Sequence, residues 1–266
     1  MSKLLTWIND PKITQFERLV RLMQVLLSED GCAWDRKQTH ESLLPYLLEE
    51  TYEVMETIED GRIKDLSEEL GDLQIQILFH AQIAKDRGDF QIDDCLKKAL
   101  DKLINRHPHV FSERKNLSPD QVNDQWEKIK TKSGEKRSVL GGVPRNLPAL
   151  TMAFRIGEKA AGAGFDWDNP EQVFDKIAEE IGEVRAELAP DRELDKERLT
   201  AEIGDLLFAV ASLSRKLDIE PETALRKALE KFKIRFDRLE QAVVDDKGEF
   251  DQYSLEQLEQ IWQSIK

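Results

Sequence analysis

The two halves of this chain repeat each other, and no other feature constrains its fold as much. Leu48-Glu49-Glu50-Thr51-Tyr52-Glu53 is answered by Ala178-Glu179-Glu180-Ile181-Gly182-Glu183, and Glu69-Leu70-Gly71-Asp72 by Glu202-Ile203-Gly204-Asp205. Lys98-Ala99-Leu100-Asp101-Lys102 with Arg106 is answered by Lys227-Ala228-Leu229-Glu230-Lys231 with Arg235. Trp34-Asp35 returns as Phe165-Asp166, and the stretch from Trp126 to Lys130 returns from Trp262 to Lys266. The offsets run only from 129 to 136 residues in a chain of 266, so short loop changes separate two copies of one unit. What one half folds into, the other must fold into as well.

Within each copy the apolar residues recur at helical spacing. Phe16, Leu19, Val20, Met23 and Leu27 form one stripe, Leu44, Leu47, Leu48, Val54 and Ile58 a second, and Ile92, Cys95, Leu96, Ala99 and Leu103 a third. Ser118-Pro119 and Asn169-Pro170 place a capping residue before a proline, a helix-start signal, and Gly61 and Gly88 fall where helices should stop. No alternating apolar run lies between hairpin turns, so strands are at most minor. The spacing predicts an all-α chain. Residues 131–148 carry Gly134, Gly141, Gly142, Pro144 and Pro148 and read as a linker, with Val139, Leu140 and Val143 able to dock. The expected organisation is a first helical domain over 13–130, the linker over 131–148, and a second helical domain over 149–266.

Charge narrows the partners. Lys and Arg number 39 against 53 Asp and Glu, a net charge of −14, and an acidic body of that size repels a phosphate backbone. Nucleic acid is therefore not an expected partner, whereas a phosphorylated small molecule remains open if a metal supplies positive charge. Hydrophobic residues at 40% are enough to build a core, which excludes a wholly disordered chain. The longest uncharged apolar stretches, Leu73–Ala84 and Leu206–Ser214, are too short to span a bilayer. With no apolar leader after Met1, the expectation is a soluble, cytoplasmic protein with no membrane partner. Cys32 and Cys95 are too few for a disulfide scaffold and read as core or near-surface thiols.

The carboxylates carry the chemistry. Glu50 and Glu53 are three apart on one helical face, and Glu69 and Asp72 share that spacing on the next helix. An antiparallel helix pair would bring the four together, and hard oxygen ligands suit Mg²⁺ or Mn²⁺. A solvated acidic face is the ordinary explanation for helical glutamates. Two facts set it aside: these acids interrupt apolar segments with few basic residues at i±4, and together with the adjacent Glu49 all five recur as Glu179, Glu180, Glu183, Glu202 and Asp205. Lys102 and Arg106, four apart, can reach one anion, and Lys231 and Arg235 repeat the pair; surface charge explains such a pair equally well. Trp34, Phe165, Trp126 and Trp262 have rings to stack on a base, or to fill a core or a subunit contact. His40, His80, His107 and His109 all lie in the first half, so a histidine reaction shared by both copies is not expected, and His107-Pro108-His109 reads as a loop. Lys64 to Gly71 imitates the tail of a Nudix box, but the glycine that should open that box falls at Glu50 and the preceding strand is missing.

Paired E-E-x-x-E and E-x-x-D motifs, duplicated, with Gly31-Cys32-Ala33-Trp34-Asp35, Gln38-Thr39-His40 and Arg106-His107-Pro108-His109-Val110-Phe111, resemble the MazG nucleoside triphosphate pyrophosphohydrolases. The likeness runs from about Phe16 to Lys266 and keeps motif order in both halves, with Ala33 where the family pattern has proline. It implies an all-α fold in which helices from two subunits, a homodimer, complete four-helix active sites. It also implies Mg²⁺-dependent conversion of a nucleoside triphosphate to the monophosphate and pyrophosphate, with Mn²⁺ as a substitute metal and a broad choice of base. On that likeness Glu180, Glu183, Glu202 and Asp205 hold the metal in the second copy, and Glu50, Glu53, Glu69 and Asp72 in the first. Lys231 and Arg235 take charge from the β- and γ-phosphates, and Glu179 orients the attacking water or a second metal. Lys176, Trp262, Lys102, Arg106 and Trp34 complete the substrate-binding set. A Nudix-like hydrolase and a non-catalytic helical adaptor are the alternatives.

Overall fold

The computed structural model describes residues 7, 10–112, 114–119, 121–122, 125–126, 129, 138–189, 193–246 and 248–265. Among these there are ten α-helices and no strand. They fall into two compact units, Met1–Asn116 and Leu117–Lys266. Residues 131–137 of the expected linker and the repeat positions 127, 128, 130 and 266 lie outside the described residues. The all-α expectation holds, and the strand required before a Nudix box is not found among the described residues.

The first unit holds α1 (Gln15–Leu27), α2 (Leu44–Glu59), α3 (Leu66–Arg87), α4 (Ile92–Arg106) and the short α5 (Pro108–Phe111). Thr14 caps α1 reciprocally with Glu17, which satisfies two backbone donors at once. The chain leaves α2 through Gly61 at φ +68° and leaves α3 through Gly88 at φ +79°, left-handed positions where a side chain would be strained. The short connection after α2 folds α3 back along it. Met23 of α1, Leu43, and Leu78, Phe79 and Ile83 of α3 form the core, with Leu19, Val20, Leu27 and Ile92 packed around it. The loop expected at His107-Pro108-His109 is instead α5. Proline at the first helical position already fits the required φ, and the Val110 and Phe111 amides bond back to His107.

The second unit repeats the order of α1 to α4 with α6 (Ala149–Gly162), α7 (Pro170–Glu187), α8 (Lys196–Lys216) and α9 (Pro221–Asp245), followed by α10 (Leu255–Ser264). Asn169 caps α7 as its sequence position predicts, and Asp195 caps α8 by accepting from the Glu197 and Arg198 amides. Helix α8 packs on α7 and α6, and α9 packs on α6, α8 and α10. Small residues allow the close approach: Ala209 and Ala211 are buried, and a Cβ on Gly157 would stand 2.9 Å from the Arg215 side chain. Glu220 caps α9 through the Thr223 amide and accepts from Thr151 of α6, tying the two helices together. Lys159 donates to the Gly141 carbonyl, holding the turn that leads into α6.

Candidate active site

Each helix hairpin closes on a carboxylate triad. In the first unit Glu50 on α2 and Glu69 and Asp72 on α3 place oxygens within 4.8 Å of one another. In the second, Glu180 on α7 and Glu202 and Asp205 on α8 do the same. Three of the four expected ligands thus converge in each copy, whereas Glu53 and Glu183 stand exposed beside the triads. Packing anions this closely shows in their titration. Burial first, then the charges of Asp72 and Glu53, pushes Glu50 above the usual carboxylate range. Burial followed by Glu53, Glu68 and Asp72 does so for Glu69, and burial followed by Glu180 and Glu202 for Glu183.

Glu180 is the buried member of its triad. It is 3% exposed, its Oε1 accepts from Lys176 Nζ at 2.7 Å, and its Oε2 is buried with no partner. A buried carboxylate oxygen without a donor is costly, and a divalent cation bound by oxygens would satisfy it. The donor set, all carboxylate, fits Mg²⁺ or Mn²⁺ and offers neither sulfur nor imidazole to softer metals. In the first copy Gln76, 8% exposed, one turn beyond Asp72 and beside Glu50, likewise keeps a buried, unpartnered Oε1. The spacing of acids alone does not single out Gln76, although it stands at i+4 from Asp72 in the sequence.

The other expected residues gather elsewhere. Glu179 is exposed and accepts from Lys176 Nζ at 3.0 Å, so Lys176 bridges Glu179 and Glu180. Lys176 is thus one of the few basic neighbours that these acids have at i±4. Lys231 and Arg235 on α9 line a groove of about 630 Å³ together with Lys227, Ile234, Arg238 and Ile265. Arg235 lies over the Trp262 ring at 4.0 Å and donates to the Trp262 carbonyl, while its Nε is buried without a partner. Phe232 backs the same tryptophan at 5.3 Å. The described contacts thus assemble the acids on α7 and α8 and the basic-aromatic group on α9 and α10. In the first unit Lys102 and Arg106 lie on α4, and Trp34 meets Tyr46 edge-on at 5.9 Å. Phe165, the counterpart of Trp34, is exposed, and its neighbour Asp166 is clamped by Arg215 and Lys216. Burial alone would raise the Asp166 carboxyl; the two cations together hold it below its usual range. The histidines contribute one contact that the sequence did not suggest, His40 Nδ1 to His80 Nδ1 at 2.8 Å with the rings stacked.

A helical hairpin bearing carboxylates on both arms, found twice in one chain, defines a tandem all-α protein built around two acidic clefts. Comparison with known proteins narrows that class. The MazG nucleotide pyrophosphohydrolase domain matches twice, over residues 38–111 and 168–239, and each match contains one hairpin with its triad. A Thermotoga maritima protein named nucleoside triphosphate pyrophosphohydrolase/pyrophosphatase MazG is 46% identical, covering 94% of this chain and 95% of its own length. An Escherichia coli nucleoside triphosphate pyrophosphohydrolase is 42% identical over 96% of this chain and 98% of its own. One from Mycobacterium tuberculosis is 40% identical over 59% of this chain and 49% of its own. The chain belongs to the MazG family.

Proposed function

We propose that this chain hydrolyses nucleoside triphosphates to the monophosphate and pyrophosphate in a Mg²⁺-dependent reaction, with Mn²⁺ able to substitute. The observation that carries the reading is the buried, unpartnered oxygen of Glu180 inside a carboxylate triad, in a family whose near relatives are named for this activity. Glu180, Glu202 and Asp205 would hold the cation in the second copy with Glu183 beside them, and Glu50, Glu69 and Asp72 with Glu53 in the first. A divalent cation there supplies charge to neutralise the phosphates and acidity to activate water. Lys231 and Arg235 bind phosphate oxygens, and the spare Nε of Arg235 supports that role. Trp262, held by Arg235, offers a face to the base without reading its edges, which suits broad base choice. Lys176 completes the phosphate contacts and Glu179 orients water. Lys102, Arg106 and Trp34 do the corresponding work in the first copy. The protein acts as a homodimer whose sites draw helices from both subunits.

Hydrolysis in ¹⁸O-labelled water, with products resolved by mass, tests the bond cleaved. Label in the monophosphate with unlabelled pyrophosphate is expected. Orthophosphate and diphosphate as first products would overturn the reading.

A further inference from the structure

The duplicated triads differ in the company kept by their matching glutamates. Lys176 sits one turn before Glu180, and the matching position before Glu50 is Tyr46. Gln76 sits one turn after Asp72, and the matching position after Asp205 is Ala209. Glu180 is therefore neutralised by an ammonium at 2.7 Å, which also holds Glu179. Glu50 instead has the neutral Gln76 beside it, whose side-chain oxygen stays buried and unpartnered. Among the described ion pairs, none reaches Glu50, Glu69 or Asp72.

Resting on the reading of both triads as metal sites, we propose that the two copies bind a divalent cation with unequal strength. The first takes the free cation tightly. The second takes it weakly until Lys176 is drawn off Glu180. Attraction between a cation and a carboxylate cluster falls when a fixed positive charge already lies a few ångströms from one ligand, and the loss is larger in a buried setting. The neutral Gln76 imposes no such repulsion and adds an oxygen of the type these cations accept. In the second copy the phosphate chain of an incoming nucleotide is the natural anion to draw Lys176 away, so metal and nucleotide would load there together, while the first copy fills with metal alone.

The test is titration of the full chain with Mn²⁺, without nucleotide, counting free metal by its spin resonance signal. Two classes of site are expected, differing by about tenfold or more in affinity. Glu50→Gln should delete the tight class and Glu180→Gln the weak one. Lys176→Met should tighten the weak class by about tenfold, and Lys176→Arg should leave it as in the wild type. Retained helical circular dichroism controls for folding, which Lys176, partly exposed, should not disturb. Equal affinities, loss of the tight class in Glu180→Gln, or a weak class unmoved or weakened by Lys176→Met would overturn the inference while leaving the metal reading standing. Failure of Mn²⁺ to bind either triad would overturn both.

Discussion

Glu180 keeps one oxygen on Lys176 and leaves the other buried without a donor, an arrangement that destabilises the fold unless a cation completes it. Truncating it should therefore remove chemistry more than stability. The variant Glu50→Ala with Glu180→Ala should lose at least about a hundredfold in turnover of nucleoside triphosphate, since both triads lose the carboxylate on their shorter arm. Its helical content should be unchanged, and assays of the two single variants should apportion the loss. Near-normal turnover in the double variant would place the chemistry elsewhere. His80 sits at a different balance. Burial first and His40 second hold it below its ordinary 6.5. Between those values the unfolded chain takes up a proton that the folded chain refuses, so stability falls as pH drops below about 6.5. The position matching His80 in the second copy is Leu213. His80→Leu should flatten the fall in melting temperature between pH 7 and 5, and an unaltered slope would show that other groups set it.

The helices were largely legible because their boundaries are written locally. Asn169-Pro170 at the start of α7 and Gly61 and Gly88 after α2 and α3 act through backbone geometry that needs no tertiary partner. Asn169→Ala should accordingly cost about 1 kcal/mol, read as a lower denaturant midpoint at constant slope. An unchanged midpoint would mean that packing of α7 on α8 alone fixes the helix start. What the sequence hid has physical reasons too. The α5 turn is not legible in the sequence because proline reads equally as a breaker and as a first helical residue. The acid pattern located both triads through spacing, but spacing is blind to which neighbour folds over a carboxylate. Gln76 looked like any polar residue in α3, and the stacking of His40 on His80 joins residues forty apart. The stripe on α2 predicted the helix correctly, yet Leu44, Leu48 and Ile58 remain exposed. Periodicity identifies the apolar face without saying which chain covers it.

That uncovered face recurs across the molecule. Leu96, Leu100 and Leu103 of α4 are exposed, and so are their repeat counterparts Leu225, Leu229 and Phe232 of α9. On the acid-bearing helices, Leu70 and Ile77 of α3 are matched by exposed Ile203 and Val210 of α8. Scattered surface leucines need no explanation, but the same bare positions on both copies mark a face that each copy uses in the same way. A triad of carboxylates cannot serve as the hydrophobic core, so a hairpin that carries one must bury its remaining apolar surface against another helix pair. A second copy of the chain supplies such a pair with the same pattern at every position, and an isologous contact buries the face on both partners at once. Sedimentation equilibrium at micromolar concentration should therefore give twice the 30.7 kDa of one chain, and turnover per chain should fall on dilution as the shared sites separate. A monomer at micromolar concentration, or full activity retained in nanomolar monomer, would show that each chain completes its own sites.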